Sequence, residues 1–520
     1  MGAEPVTLPR MLNSHDAPVP RGDAAVRPAL EAALRYARTK VPYADALYER
    51  VFKCEVHQLA SGQRMVKPAS VKGAVQIRLV GEGGRQVGVK AGDAAVETLR
   101  SAIDRGMDAL AAEPTDPGFG LAAIPNPSRE RYGVAPTDDP RDVDPTPRLE
   151  ALARAVDALA AEGAAEGVRV VPELWAWEQV EEKWVADTDG IFKTQVMTIG
   201  FVQVVFRAVR GELQARTRVR FGEVGGLSRY IDSDGRFAPE VARELAAQRD
   251  VAVRLLDART MTADELAGLT HYVLHKSALV FIHEGLGHPI EADIVRSGNS
   301  AIVAPGGEAR VSPLGSPVVR IVDGSAPDGE GNPVADRGFG TEFIDDEGVE
   351  VRSAELVSGG HIVGMMHSRE TAHRYGVAPT GNGFSELGDR RIVRMRNTVL
   401  CPERGDHWVE SLDELLQGVG LGVVLHGSLG GAVSKEGMSS STQYGYLVRD
   451  GRLTGEIILP GNFTALTAGC LKSVDGYAGP VDSHGVGFCG KGSQMRRVTE
   501  GGPTFVRLGA SPWVNLTFEG

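Results

Sequence analysis

Residues 281–293 read FIHEGLGHPIEAD and stand where the chain changes texture. Beyond residue 295, short Val- and Ile-rich runs alternate with DGSAPDGEGNP, DDEG, SGG, GNG and RDGRLTG. That is the punctuation of hairpins, and over about 200 residues it predicts a mostly antiparallel β domain. Upstream the pattern is mixed. AAVRPALEAALRYARTK (24–40), AAVETLRSAIDRGMDALAAE (94–113) and RLEALARAVDALAAEGAAE (148–166) carry apolar residues at helical spacing. Strand-like runs fill 44–59 and 63–80, broken by Ala60-Ser61-Gly62; GEGG (81–84) then turns into a short strand. Long strands rich in Val, Phe, Thr and Trp follow over 168–222, and helical runs over 238–258 and 262–287 close this part. The Pro-rich stretch 114–147 reads as a long surface connection. The fold class is therefore α+β: an N-terminal α+β domain with connecting helices, 1–260, then a β-rich domain, 261–520.

The chain's 520 residues exceed one ordinary core. With 56 basic and 68 acidic residues the net charge is -12, which repels phosphate backbones, and no Lys/Arg run offsets it. A nucleic-acid partner is not expected. Cys54, Cys401, Cys470 and Cys489 are scattered without C-x-x-C spacing, which points to a reducing compartment. Neither a signal-like apolar core nor a membrane-length apolar run is evident, so a cytoplasmic protein is expected. Gly makes up an eighth of the chain, at 65 residues, and implies many tight turns.

Within the opening stretch, His283 and Glu284 precede His288 by one residue more than the zinc-peptidase pattern H-E-x-x-H allows. Residues five apart on a regular α-helix diverge by about 140° around its axis. Gly285 and Gly287 loosen the backbone, and Pro289 disfavours α geometry at His288. A local π-type bulge or helix end there brings both imidazoles to one side. Glu284 is then placed as a general base beside a metal-bound water, with Glu291 and Asp293 as acceptors for the distal imidazole nitrogens. Spacing alone leaves open the other reading, two ordinary helix histidines satisfied by nearby backbone.

Further motifs follow in order: FIDDEGVEV (343–351), GVAPTGNG (376–383), VRMRNT (393–398) and GVGFCGKGSQ (485–494). With HEGLGHPIEAD they make residues 265–510 resemble the TldD/PmbA family of metallopeptidases, in its metal-bearing TldD branch. The first 260 residues resemble it only loosely. The resemblance implies Zn2+ held by His283, His288 and Cys489, with Glu284 as catalytic base. It also implies a barrel-like C-terminal β domain, and a dimer formed either with a second copy or with a metal-free TldE/PmbA-type subunit. The substrates implied are extended or unfolded peptides; a zinc-dependent deacylase of small natural-product intermediates is the alternative. The chain departs from the family in GNGFSELGDRR, where relatives carry basic residues after G-N-G, and in the length of the Pro-rich stretch.

Other features are weaker. GVGFCGKG fits a phosphate loop until Gly492 stands where Ser or Thr is needed. His271 and His275 form an i, i+4 pair on the predicted helix, without a following base. His361, His367 and His373 offer a third ligand should Cys489 not serve, but read first as strand and turn histidines lining a cleft. Arg394 and Arg396 are candidates to bind a substrate carbonyl or carboxylate, with structural salt bridges as the competing role.

Overall fold

The computed structural model describes residues 17–518 apart from 126–129, 135–138, 163–165, 233, 325, 328–332, 335–337, 387–388, 434–436 and 460. Parts of the Pro-rich stretch and of the DGSAPDGEGNP and GNGFSELGDRR segments thus lie outside the described residues.

The amphipathic runs of the first part fold as their periodicity predicts. Helix α1 (Asp23–Arg38) leads into strands β1 (Tyr43–Gln58), β2 (Arg64–Val80) and β3 (Gln86–Ala91). Helix α2 (Val96–Ala112), β4 (Arg131–Gly133) and α3 (Thr146–Glu162) follow, then β5 (Arg169–Asp187), β6 (Phe192–Arg210), β7 (Leu213–Val224) and α4 (Pro239–Arg254). The strands form one sheet in the order β3-β2-β1-β5-β6, on which both β4 and β7 pair with β6. Leu30, Leu34, Leu99 and Ile103 of α1 and α2 bury against Ile77, Leu79 and Trp184. Leu149, Leu152 and Leu245 of α3 and α4 cover Val56, Val204 and Phe206. Each such side chain contributes about 1.5–3 kcal/mol on burial.

The predicted helix over 262–287 is not one helix. Short α5 (Ala263–Ala267) stops at Gly268, and β8 (His271–His275) follows as an inner strand. His-Tyr-Val-Leu-His has the β-branched and aromatic content of a strand, and pairing on both sides overrides the helical spacing. His271 and His275 therefore belong to a strand, not to a helix face.

The second sheet runs through His361–Ile362, Ala354–Ser358, Ile321–Asp323, Asn397–Leu400, Gln494–Gly509, β8, Leu421–His426, Tyr444–Arg449 and Arg452–Ile458. Val474–Lys491 pairs with Gln494–Gly509 as a long hairpin, turning at Gly492, whose φ of 60° suits glycine. Most pairings are antiparallel; the sheet stays open, so the barrel-like expectation gives way to an open sheet. A smaller sheet orders Gly430–Val433, Gly437–Ser441, Asn462–Leu466 and Val514–Thr517. Among the described residues no helix is long and apolar enough to cross a membrane.

Candidate metal centre

Strand β8 sets the site. The chain leaves it through Lys276–Ala278, makes one helical turn at Val280–Ile282, and enters a π turn over His283–Gly287. Phe281, Ile282, Leu286 and Ile290 are buried and anchor that turn in the core. The wider π turn removes the angular mismatch of the five-residue spacing: the two imidazoles meet edge to face with centroids 5.0 Å apart. The glycines serve packing rather than looseness. A Cβ on Gly287 would stand 1.9 Å from Met395 Sδ, and one on Gly285 would stand 3.0 Å from Met438 Sδ. His288 is itself helical, at φ -60° and ψ -46°, despite the following Pro289.

Strand Gln494–Gly509 lies beside β8, so its hairpin partner carries Cys489 to the π turn. Ligand atoms of His283, His288 and Cys489 lie within 4.8 Å of one another. Cys489 Sγ is 3.3 Å from His288 Nε2. Donors sharing one tetrahedral zinc at its usual bond lengths stand about 3.3–3.8 Å apart, so this donor set and spacing fit that ion. Burial pushes the Cys489 thiol up, but hydrogen bonds and charge from His283 and His288 outweigh it and bring it down to about 5. Burial drives Cys54, Cys401 and Cys470 the other way, to about 12, 11 and 12. Only Cys489 of the four is poised as a thiolate, the form that binds metal.

Carboxylates stand behind both rings. Glu291, fully buried, lies 2.9 Å from His288 Nδ1. Burial would lower His288, but Glu291 and then Cys489 raise it to about 10. Burial raises Glu291, yet Lys491 and His288 pull it down to about 2. Asp293 does not take an imidazole: it pairs with Lys491 Nζ at 2.7 Å and accepts the Val393 N–H. The carboxylate near His283 Nδ1 is instead Glu500, at 3.6 Å. Sequence reading missed Glu500 and Lys491. The glycines of GVGFCGKG were the available signal, since a Cβ on Gly485 would lie 2.3 Å from Glu500 Oε2.

Glu284 is half-buried and shares with His283 a pocket of about 220 Å³. Gly431 of the edge strand closes over it, and a Cβ there would lie 2.7 Å from Glu284 Cγ. Arg394 and Arg396 are fully buried and serve the scaffold: Arg394 donates to the Cys489 carbonyl at 2.5 Å, and Arg396 pairs with Asp323 at 3.2 Å. His367 is buried and held low, at about 4, by that burial. Neither it nor His361 or His373 belongs to the metal group. GVGFCGKG is strand and turn, with no helix after it to cradle phosphate.

Fold and site define an α+β protein with two large sheets and a candidate His₂Cys metal centre. Residues 268–475 match the family model described as the PmbA/TldA metallopeptidase C-terminal domain. Residues 268–475 thus carry the C-terminal domain of the PmbA/TldD family. A protein of Methanothermobacter thermautotrophicus named a metalloprotease is 38% identical over 229 residues, 43% of this chain and 45% of that one. A Saccharolobus solfataricus protein named a zinc metalloprotease TldD homolog is 30% identical, over 43% of this chain and 46% of its own. The matched stretch thus spans about half the length of these curated relatives. The solved structure of TldE from Thermococcus kodakarensis superposes with a TM-score of 0.68 over 94% of this chain and 100% of its own, at 14% identity, a likeness of fold alone.

Proposed function

We propose that this protein is a zinc-dependent amide-bond hydrolase of the peptidase type, acting on extended or unfolded peptides. The observation that carries the reading is the convergence of His283, His288 and Cys489 on one point, with His283 and Glu284 both lining the adjoining pocket. The metalloprotease names of the relatives support it. Zinc held by that trio supplies Lewis acidity, polarising an amide carbonyl and making water nucleophilic near neutral pH. Glu284 accepts the proton of the attacking water and returns it to the leaving amine. Glu291 receives the His288 Nδ1–H and so directs Nε2 toward the thiolate. Edge strand Gly430–Val433 is exposed and, among the described residues, paired on one side only, by Gly437–Ser441. Its free side offers backbone groups to an extended peptide, giving affinity without demanding a sequence. The working unit we propose is a cytoplasmic dimer, of two copies or with a TldE/PmbA-type subunit.

The test is Glu284→Gln in the full chain, incubated with unfolded peptides and with N-acyl amines. Turnover of peptides falls by about 10²–10⁴-fold while bound zinc, measured by elemental analysis, stays unchanged. Full activity in this variant removes Glu284 as the base. Cleavage of the N-acyl amines alone moves the reading to the small-molecule deacylase.

A further inference from the structure

The pocket beside His283 and Glu284 is also lined by Arg218 and Arg220 of β7. The two-residue period of a strand puts both on one face. Their backbone is fixed there: Gln443 accepts the Arg218 N–H at 2.5 Å and donates to the Arg218 carbonyl at 2.8 Å. Their guanidinium groups are bonded only in part. Arg218 donates to the Ser428 carbonyl, and Arg220 to Gln203 Oε1 at 2.8 Å and the Val486 carbonyl at 3.4 Å. All these acceptors are neutral, and among the described residues neither arginine forms an ion pair.

Every other charged group on that pocket wall has a role. Lys276 is paired with Asp482 at 2.6 Å, and Glu500 faces His283. Glu244 accepts from Gln248 at 3.1 Å, and Glu284 is the base of the proposed reaction. Two half-buried cations without a counter-ion are costly, and a chain of net charge -12 has no general need for them at a substrate pocket. Burial, with Arg220 and Arg216 adding repulsion, brings Arg218 down to about 10, the response of a cation lacking an anion. Burial lowers Arg220 as well, with Glu500 opposing only in part.

We propose that Arg218 and Arg220 form a carboxylate-binding subsite of the metal pocket, so that the preferred substrate carries a free carboxylate close to the bond that is cut. Guanidinium pairs with carboxylate through parallel, charge-assisted hydrogen bonds, the strongest recognition these side chains offer. The carboxylate has two possible sources, a peptide C-terminus or an Asp or Glu side chain, and the pocket chemistry is the same for both. The inference rests on the peptide-hydrolase reading for its substrate class, but binding tests it apart from turnover.

Three fluorescein-labelled peptides of otherwise neutral sequence serve as probes: one with a free C-terminus, one amidated, and one amidated with an internal Glu. Binding is read by anisotropy on the full-length Glu284→Gln protein. The free acid binds at least about 10-fold tighter than the amide if the C-terminus is the source. The Glu peptide gains that factor if a side chain is the source. Arg218→Gln and Arg220→Gln each remove the gain and leave the neutral amide's affinity unchanged, with thermal unfolding as the check on folding. Equal binding of all three probes, or equal weakening of all three by the arginine variants, overturns the subsite. Carboxylate preference in binding without any turnover by the unsubstituted protein sinks the hydrolase reading alone.

Discussion

At the scale of single residues, the two histidines are supported unequally. Glu291 lies at hydrogen-bond distance from His288 Nδ1, whereas Glu500 stands 3.6 Å from His283 Nδ1, which has no hydrogen-bond partner among the described residues. A carboxylate behind a ligand imidazole fixes its tautomer and its basicity, and losing one typically costs 10–100-fold in metal affinity. Glu291→Gln should therefore weaken zinc binding by about 10–100-fold in a competition titration against a chromophoric chelator. Glu500→Gln should cost less, because its contact is longer than a hydrogen bond. Equal losses would mean that the two rings are held by something other than these carboxylates. His283, Glu284, His288 and Glu291 were legible because they are local. Cys489 was legible only through the order of distant motifs, and Glu500 not at all: strand pairing across the long hairpin, invisible to spacing, brings it in. Asp293 was misassigned because Lys491 arrives from that same hairpin to claim it.

At the scale of elements, the π turn decides whether the trio exists. The expected bulge is present, but its glycines are there because Met395 and Met438 press against the turn. Gly287→Ala should consequently drive a methyl into Met395 Sδ and destabilise the protein by about 1–3 kcal/mol, as overpacking does. Urea unfolding reads that loss, and combining it with Met395→Ala should recover part of it, which a double-mutant cycle quantifies. A Gly287→Ala effect unchanged by removal of the Met395 side chain would return the glycine to a backbone role. The sheet elements of the first part were plain from their apolar alternation, β1 and β2 nearly to the residue. β8 was hidden because five residues between a short helix and a turn carry too little period to separate strand from helix. The motifs around Asp345, Asn382 and Arg396, which carried the family resemblance by their order, form a buried polar lattice: Asn382 bonds Asp323 at 2.8 Å, and Asp345 accepts the Gly383 N–H at 3.0 Å.

At the scale of the molecule, the two large sheets are joined by a buried charge network centred on Glu342. Its carboxylate faces Lys183 of β5 at 3.3 Å, Gln195 of β6 at 2.6 Å, and Arg496 and Arg497 of the Cys489 hairpin at 2.8 and 3.2 Å. The strand pair that delivers the thiolate is thus tied through one acid to the N-terminal sheet. Burial raises Glu342, but Lys183, Arg496 and Arg497 outweigh it and hold the group at about 2, below its ordinary 4.5. A depressed carboxyl stabilises the folded state above its unfolded pKa and loses that contribution as pH falls through its folded one. Stability should therefore drop between pH 4.5 and about 2 on this account. Glu49, in the same network, runs the opposite way. Burial and then Asp346 raise it to about 8, so its contribution declines as pH climbs from 4.5 toward that value. Glu342→Ala should cost about 3–5 kcal/mol near neutrality, since it strands buried cations without their anion. It should also flatten the acid limb of the stability profile, measured by denaturant unfolding from pH 2 to 8. If the gap between Glu342→Ala and the unsubstituted protein stays constant down to pH 2, the Glu342 carboxylate is not what couples the sheets.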